Sequence, residues 1–196
     1  MVKGWPMKKI SAVFAVCFLV SGCVVGSLNP FYTADLVMKM PELYGKWYFI
    51  QDIEANDESP MVLSEGKMTV YDDKGVPEDA QVTFFKVDET LFIDVFPDKG
   101  RLKEDLVKDE PPVHLVSRVK IVGPDKMSFN SLDYEWLAKE VEAGNINLSH
   151  KPAVTDSDIV FTASSAQWVD FLRQYKDDLR AFPKEGEAGL IRKEVK

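Results

Sequence analysis

Residues 43–50 read LYGKWYFI, and this stretch indicates where the folded domain begins. Gly45 precedes aromatic and β-branched side chains that continue to Ile53, which predicts a strand over 45–53. Similar apolar runs predict strands over 67–71, 81–87, 90–96, 113–122, 126–131, 159–163 and 189–195. Several of these runs are joined by short turns rich in Asp and Gly, which favours antiparallel pairing. Both faces of the strand over 90–96 are largely apolar, so another element is expected to cover its outer face.

Two helices are predicted in the C-terminal half of the chain. Asp133 is a suitable N-cap for the first helix, and Gly144 is a suitable stop. Ser164 and Gln167 have the spacing of a capping box, and apolar residues recur every three or four positions after it, as far as Phe182. The predicted fold class is therefore α+β: one domain with a mainly antiparallel sheet of about six to nine strands and two α-helices.

The tripeptide Gly45-Lys46-Trp47 resembles the Gly-x-Trp signature of the lipocalins. Lipocalins are eight-stranded antiparallel barrels that enclose a small apolar ligand. In that family the tryptophan closes the barrel floor, and a basic residue from a late strand packs over it. The resemblance implies that Trp47 closes the floor, with Arg192 as the first candidate for its partner and Arg118 as the second. A more open sheet with packed helices is the alternative architecture.

The start of the chain has the pattern of a secretory signal. Two adjacent lysines precede an uncharged apolar run over 10–20, and two small residues then lead to Cys23. A run of this length is too short to span a bilayer and is typical of a signal peptide. Residues 1–22 are the predicted signal, with either Met1 or Met7 as the start.

Val20-Ser21-Gly22-Cys23 resembles the lipobox of bacterial lipoproteins. The resemblance implies cleavage before the cysteine, diacylglycerol on its sulfur and an acyl chain on its nitrogen, so the protein is expected to bind a membrane through Cys23. Val24 and Val25 imply the outer membrane, facing the periplasm, if the source is Gram-negative. The predicted organisation is a lipidated cysteine and tether over 23–40 and a single β-rich domain over 41–196.

Charge and cysteine content narrow the function classes. The chain has 24 basic and 32 acidic residues, and the predicted signal removes three lysines and no acid, which leaves 21 basic residues and a mature charge of −11. Such an acidic domain is not expected to bind nucleic acid. Cys17 leaves with the signal and Cys23 is acylated, so no disulfide is expected.

The residues do not indicate an enzyme. No Gly-x-Ser-x-Gly elbow is present, and the two histidines, His114 and His150, lack the spacing of a metal site. Neither a metal nor a cofactor is expected. A wider resemblance, carried by LFIDVFP, PVHLVSRV, LDYEWL, IVFTASSAQWVDFL and KDDLRAF, is to a group of uncharacterised bacterial envelope lipoproteins, which offers no activity to transfer.

The sequence is compatible with two kinds of function. The first is a protein that binds an apolar or amphiphilic ligand in the barrel or cupped sheet, near Trp47, Phe84 and Phe92. Because strand alternation puts His114 and Arg118 on one face, they are the candidates for binding a carboxylate or phosphate head group. The alternative is a non-enzymatic interaction module, in which the sheet surface or an acidic loop over 97–112 contacts another envelope protein.

Overall fold

The computed structural model describes residues 25–54, 59–72, 74–98, 112–151, 159–184 and 187–192. Within them lie twelve strands and three α-helices. The strands are β1 Gly26–Ser27, β2 Val37–Met38, β3 Gly45–Phe49, β4 Met61–Ser64, β5 Lys67–Tyr71, β6 Pro77–Val87, β7 Thr90–Pro97, β8 His114–Gly123, β9 Lys126–Ser131, β10 His150–Lys151, β11 Val160–Phe161 and β12 Glu187–Ile191. The helices are α1 Ile50–Glu54, α2 Tyr134–Glu142 and α3 Ser165–Tyr175, and 3₁₀ turns cover Ala34–Leu36 and Pro41–Leu43.

Eight strands form a closed barrel. Each of β3 to β8 pairs antiparallel with the next strand in sequence, and β12 closes the ring between β9 and β3. Leu190 in β12 is opposite Met127 on one side and Phe49 on the other. The predicted α+β class and mainly antiparallel sheet are confirmed, and the architecture is a closed lipocalin-like barrel rather than an open sheet.

Two apolar cores lie on opposite sides of the barrel wall. The interior core contains fully buried side chains such as Trp47, Met61 and Leu190. The outer core is formed where α2 and α3 pack against the outer face of β6, β7 and β8. Alternation along β7 divides the strand between them, with Ile93 in the interior core and Phe92 in the outer one. The two helices therefore cover the second apolar face that the sequence predicted.

Residues 25–40 belong to the domain and do not form a tether. Val25 and Phe31 are fully buried in the outer core, where the ring centroid of Phe31 lies 4.4 Å from that of Trp168. Strand β1 pairs antiparallel with β8 and parallel with β11. The segment is held because its apolar side chains complete the core beneath α3. The predicted boundary at residue 41 is therefore corrected to residue 25 or earlier.

Local capping signals gave the helix starts correctly. The Asp133 carboxylate accepts a hydrogen bond from the backbone N–H of Trp136 at 2.7 Å, and Ser164 and Gln167 form a reciprocal capping box. Several lengths differ from expectation. Strand β6 begins at Pro77, four residues before the predicted strand, and β11 covers only Val160–Phe161. Helix α3 ends at Tyr175, before the end of its apolar stripe, and β3 ends at Phe49 because the chain turns into α1. Most of the predicted loop over 97–112 lies outside the described residues.

Candidate functional site

One end of the barrel is closed by Trp47 and the segment before it. The indole is fully buried, and its Nε1 donates to the carbonyl oxygen of Leu43 at 2.8 Å. The guanidinium carbon of Arg192 lies 4.5 Å from the ring centroid, and its Nη2 donates to the carbonyls of Glu42 and Tyr44. These contacts tie the chain ahead of β3 to the end of β12. Gly45 makes the entry to β3 with φ at 123°, a conformation that favours glycine.

The aromatic residues predicted to line a ligand pocket are separated by the barrel wall. Trp47 and Phe84 are buried in the interior core, where neighbouring side chains surround them. Phe92 faces outward and stacks on Phe85 beneath the helices, with ring centroids 5.4 Å apart. These three residues do not line one pocket, since successive strand residues point to opposite faces.

His114 has a partner in the outer core. Its Nδ1 lies 2.8 Å from Oδ1 of Asp94, a carboxylate that is only 2% exposed, and the ring packs against Phe96. The second carboxylate oxygen accepts the backbone N–H of Phe31 at 3.0 Å. Asp94 and His114 therefore fasten the N-terminal segment to the barrel.

Arg118 lies on the same face of β8 as His114, as expected, but the two do not form one site. Four residues along a strand span about 13 Å, too far for one small head group to bridge directly. Arg118, the second candidate partner for Trp47, instead lies over Phe182, with its guanidinium carbon 5.1 Å from the ring centroid. Its Nη1 donates to the carbonyl of Lys176 at 2.6 Å.

Arg118 borders an open cleft of about 730 Å³. The cleft lies between the barrel end that carries the β6–β7 hairpin and the segment that follows α3. Its apolar lining is Met38, Met40, Leu91, Val119, Ile121 and Leu179. Its charged lining is Lys86, Arg118, Lys120 and Lys184 together with Glu42, Glu89, Asp177 and Glu187. The cleft therefore offers an apolar surface and a charged surface to the same occupant.

Part of this charge is already paired. Lys86 contacts Glu89 at 3.2 Å, and Asp177 contacts Lys176 at 3.4 Å. The carboxylate of Glu187 accepts the hydroxyl of Ser128. Within the described part of the chain, Arg118, Lys120 and Lys184 have no carboxylate partner. These are the three cations of the cleft wall that remain available to an anion.

Asn130 adds an unpaired acceptor to the same wall. Its side chain is buried, and its Nδ2 donates to the carbonyl of Pro183 at 2.7 Å, whereas Oδ1 has no hydrogen-bond partner among the described residues. Sequence reasoning did not find Asn130, Lys120 or Lys184. Apart from Arg118, the sequence pattern pointed to Leu179 alone for this cleft. Leu179 continues the apolar stripe of α3 in the sequence, but in the structure it lies after the end of the helix and is 57% exposed.

In the described ranges, no group of three or more metal-ligating side chains is close enough to hold an ion. None of the helices in those ranges is both long enough and apolar enough to cross a bilayer. The predicted lipidation residue, Cys23, lies outside the described residues. No protein-family model, curated protein or solved structure matches this chain.

Proposed function

We propose that this protein is a membrane-anchored lipoprotein of the bacterial envelope that binds a small amphiphilic molecule in the cleft. The cleft is the observation that carries the proposal. Its volume of about 730 Å³ falls within the range of about 300–1,000 Å³ for small-molecule sites. Ile121 and Leu179 expose 44% and 57% of their surface there, next to charged side chains. An amphiphile would cover the apolar residues and leave its polar head beside the charges.

In this proposal the barrel is the scaffold of the site. Trp47 and Phe84 are buried among other side chains of the interior core, whereas the cleft is open to solvent, so we assign the ligand to the cleft. The strands that form the cleft wall, β8 and β9, pair over most of their length within the closed ring. A wall built on paired strands keeps its side chains in place, which reduces the entropy lost on binding.

Acylation of Cys23 supplies the anchor in this proposal. Only Val24 separates that cysteine from Val25, the first buried residue of the domain. Two residues of extended chain reach no more than about 7 Å, so the domain is held against the membrane surface. Two or more acyl chains make such attachment stable. The anchor therefore places the cleft close to a source of amphiphiles, in the outer membrane if the organism is Gram-negative.

The ligand site is tested with the full chain carrying Cys23→Ala, which removes the anchor and keeps every described residue. Binding of dodecyl maltoside below its critical micelle concentration is measured by calorimetry. We expect Leu179→Glu to weaken binding about tenfold or more, because it puts a carboxylate against the dodecyl chain. Val76→Glu is the matched control, since Val76 is 45% exposed and lies outside the cleft lining. Equal affinities for the two variants, or no binding by the Cys23→Ala protein, would contradict the proposal.

The anchor is tested separately by fractionation of cells and by mass spectrometry. We expect the native chain in the membrane fraction with an acylated N-terminal cysteine, and Cys23→Ala in the soluble fraction. Membrane association of an unlipidated Cys23→Ala chain would refute the anchor and leave the ligand site untouched.

The alternative function, an interaction module, is favoured by one observation. Ile121 and Val122, at the β8–β9 hairpin, are 44% and 56% exposed, and Ile121 lines the same cleft as Leu179. Absence of any amphiphile binding, together with a crosslink from this hairpin to a defined envelope protein, would favour that function instead.

A further inference from the structure

We propose that the head group bound in the cleft is anionic and is held by Arg118, Lys120 and Lys184. This inference rests on the proposed function and adds the chemical class of the ligand. A site of this kind would not bind cationic amphiphiles. Both the head group and the apolar tail of the ligand would contribute to its affinity.

The three cations converge on one wall from two parts of the chain. Arg118 and Lys120 are two residues apart on β8, so their side chains leave the same outward face about 7 Å apart. They stand opposite Asn130 and Ser128 of β9 in the sheet register. Lys184 comes from the segment that follows α3 and borders the same cleft. A small anion over β8 and β9 would therefore meet positive charge from both sides.

Arg118 is the cation best placed to bind an anionic head group. It is half-buried and has no carboxylate partner among the described residues, although burying a cation without a counter-charge is costly. Its guanidinium has five N–H donors, and the Lys176 carbonyl accepts from Nη1. Further donors remain for a ligand, and guanidinium groups bind carboxylates and phosphates with paired hydrogen bonds.

The acidic residues of the cleft offset these cations only in part. Glu89 and Asp177 are already paired with lysines. Glu187 accepts the Ser128 hydroxyl and keeps its negative charge, and Glu42 lies in the 3₁₀ turn at the barrel floor rather than on the strand wall. Three cations without a carboxylate partner therefore stand against two carboxylates in the lining formed by the described residues. The whole chain has a net charge of −8, whereas this cleft carries three cations without a carboxylate partner among the described residues.

The shared chemistry of the ligand is one apolar chain with an anionic head, and two sources provide it: a fatty-acid carboxylate or a phosphate ester. The experiment compares dodecanoate, dodecyl phosphate, dodecyltrimethylammonium and dodecyl maltoside, which have chains of similar length. Each is titrated into the Cys23→Ala protein below its critical micelle concentration, at low and high salt. The test variant is Lys120→Gln with Lys184→Gln, both at exposed positions. The control is Lys126→Gln with Lys139→Gln, at exposed lysines outside the cleft lining.

We expect at least one anionic probe to bind about tenfold more tightly than dodecyl maltoside. The advantage should shrink by at least half of its free energy in the test variant, which keeps Arg118, and it should also be reduced by salt. The control should bind as the parent does. The ratio of dodecanoate to dodecyl phosphate identifies the source. Equal binding of anionic and neutral probes, or preference for the cationic one, would overturn the head-group inference and leave the proposed function intact. Failure of all four probes to bind would overturn both.

Discussion

Arg192 lies over the indole of Trp47, with its guanidinium carbon 4.5 Å from the ring centroid. Trp47 is in β3, the first strand of the barrel, and Arg192 directly follows β12, the last strand. The same guanidinium donates to the carbonyls of Glu42 and Tyr44, which precede Trp47. One side chain therefore joins the start of the barrel to its end. Because β12 and β3 pair at two residue positions within the described part of the chain, this contact is expected to matter for barrel closure.

Arg192→Ala should lower the free energy of unfolding by about 2 kcal/mol, because the cation–π contact and two carbonyl hydrogen bonds are lost together. Arg192→Lys should fall between the parent and the alanine variant, since lysine keeps the charge and lacks the planar fork. Urea denaturation monitored by circular dichroism gives both values. An alanine variant as stable as the parent would show that barrel closure does not depend on this residue.

His114→Ala should lower the free energy of unfolding by about 2–4 kcal/mol, because it leaves the buried Asp94 carboxylate with one of its two partners missing. Loss of the His114 side chain should also speed hydrogen exchange at the Phe31 amide, because that N–H donates to the Asp94 carboxylate. His150→Ala is the control, since this histidine is exposed and should cost less than about 0.5 kcal/mol. Equal effects of the two substitutions would contradict the fastening role.

Gly26→Ala should destabilise the domain by about 1–3 kcal/mol through overpacking, because the added Cβ would lie 2.9 Å from Cγ2 of Val113. Val113→Ala removes that atom, so the double variant should be more stable than the sum of the single effects predicts. A double-mutant cycle measures the coupling. Strict additivity would mean that β1 is not seated against Val113, and that the N-terminal segment is less firmly packed than described.

Stability should depend on pH through Asp178. The hydrogen bonds from the Arg180 side chain hold the pKa of the Asp178 carboxyl below its ordinary value. A carboxyl whose pKa is lowered by folding stabilises the native state above its unfolded pKa of about 3.9, and the contribution is lost as pH falls through the native value. Asp178→Asn should therefore cost up to about 1 kcal/mol at neutral pH and nothing in strong acid. Denaturation curves across this range check the sign, and a constant difference would contradict it.

The parts of the fold set by local chemistry were predictable from the sequence. The Ser164 capping box and the Asp133 cap each depend on a few neighbouring residues, and each lies where the pattern predicts. The tight turn at Asp88 likewise falls between the strands predicted over 81–87 and 90–96. The β6–β7 and β8–β9 hairpins follow for the same reason. Periodicity and turn chemistry suffice where both partners are close in sequence.

Elements that depend on distant partners were missed. Nothing local distinguishes Val25 and Phe31 from a tether, because their burial is provided by Trp168 and the helices. The strand over 45–53 was predicted too long because Ile50 packs at Gly189, where an added Cβ would lie 2.8 Å from Cδ1 of Ile50.

The candidate site was predicted only in part. Arg118 was singled out, but its pairing with His114 rested on strand alternation alone, which gives the face and not the distance. Lys120 and Lys184 resemble many other surface lysines in the sequence. They become a site only because the chain after α3 crosses the outer wall of the barrel, where no carboxylate of the described residues meets them.

Native mass spectrometry of the full Cys23→Ala chain, purified from its cells without detergent or refolding, is the most direct test of ligand binding. The full chain is used because a shorter one that began after β1 would lack the buried residues Val25 and Ser27. We predict an additional mass of one amphiphile that disappears on denaturation, is absent from Leu179→Glu and is retained by Val76→Glu. A clean mass of the polypeptide alone, with no amphiphile in any of the three proteins, would contradict the account.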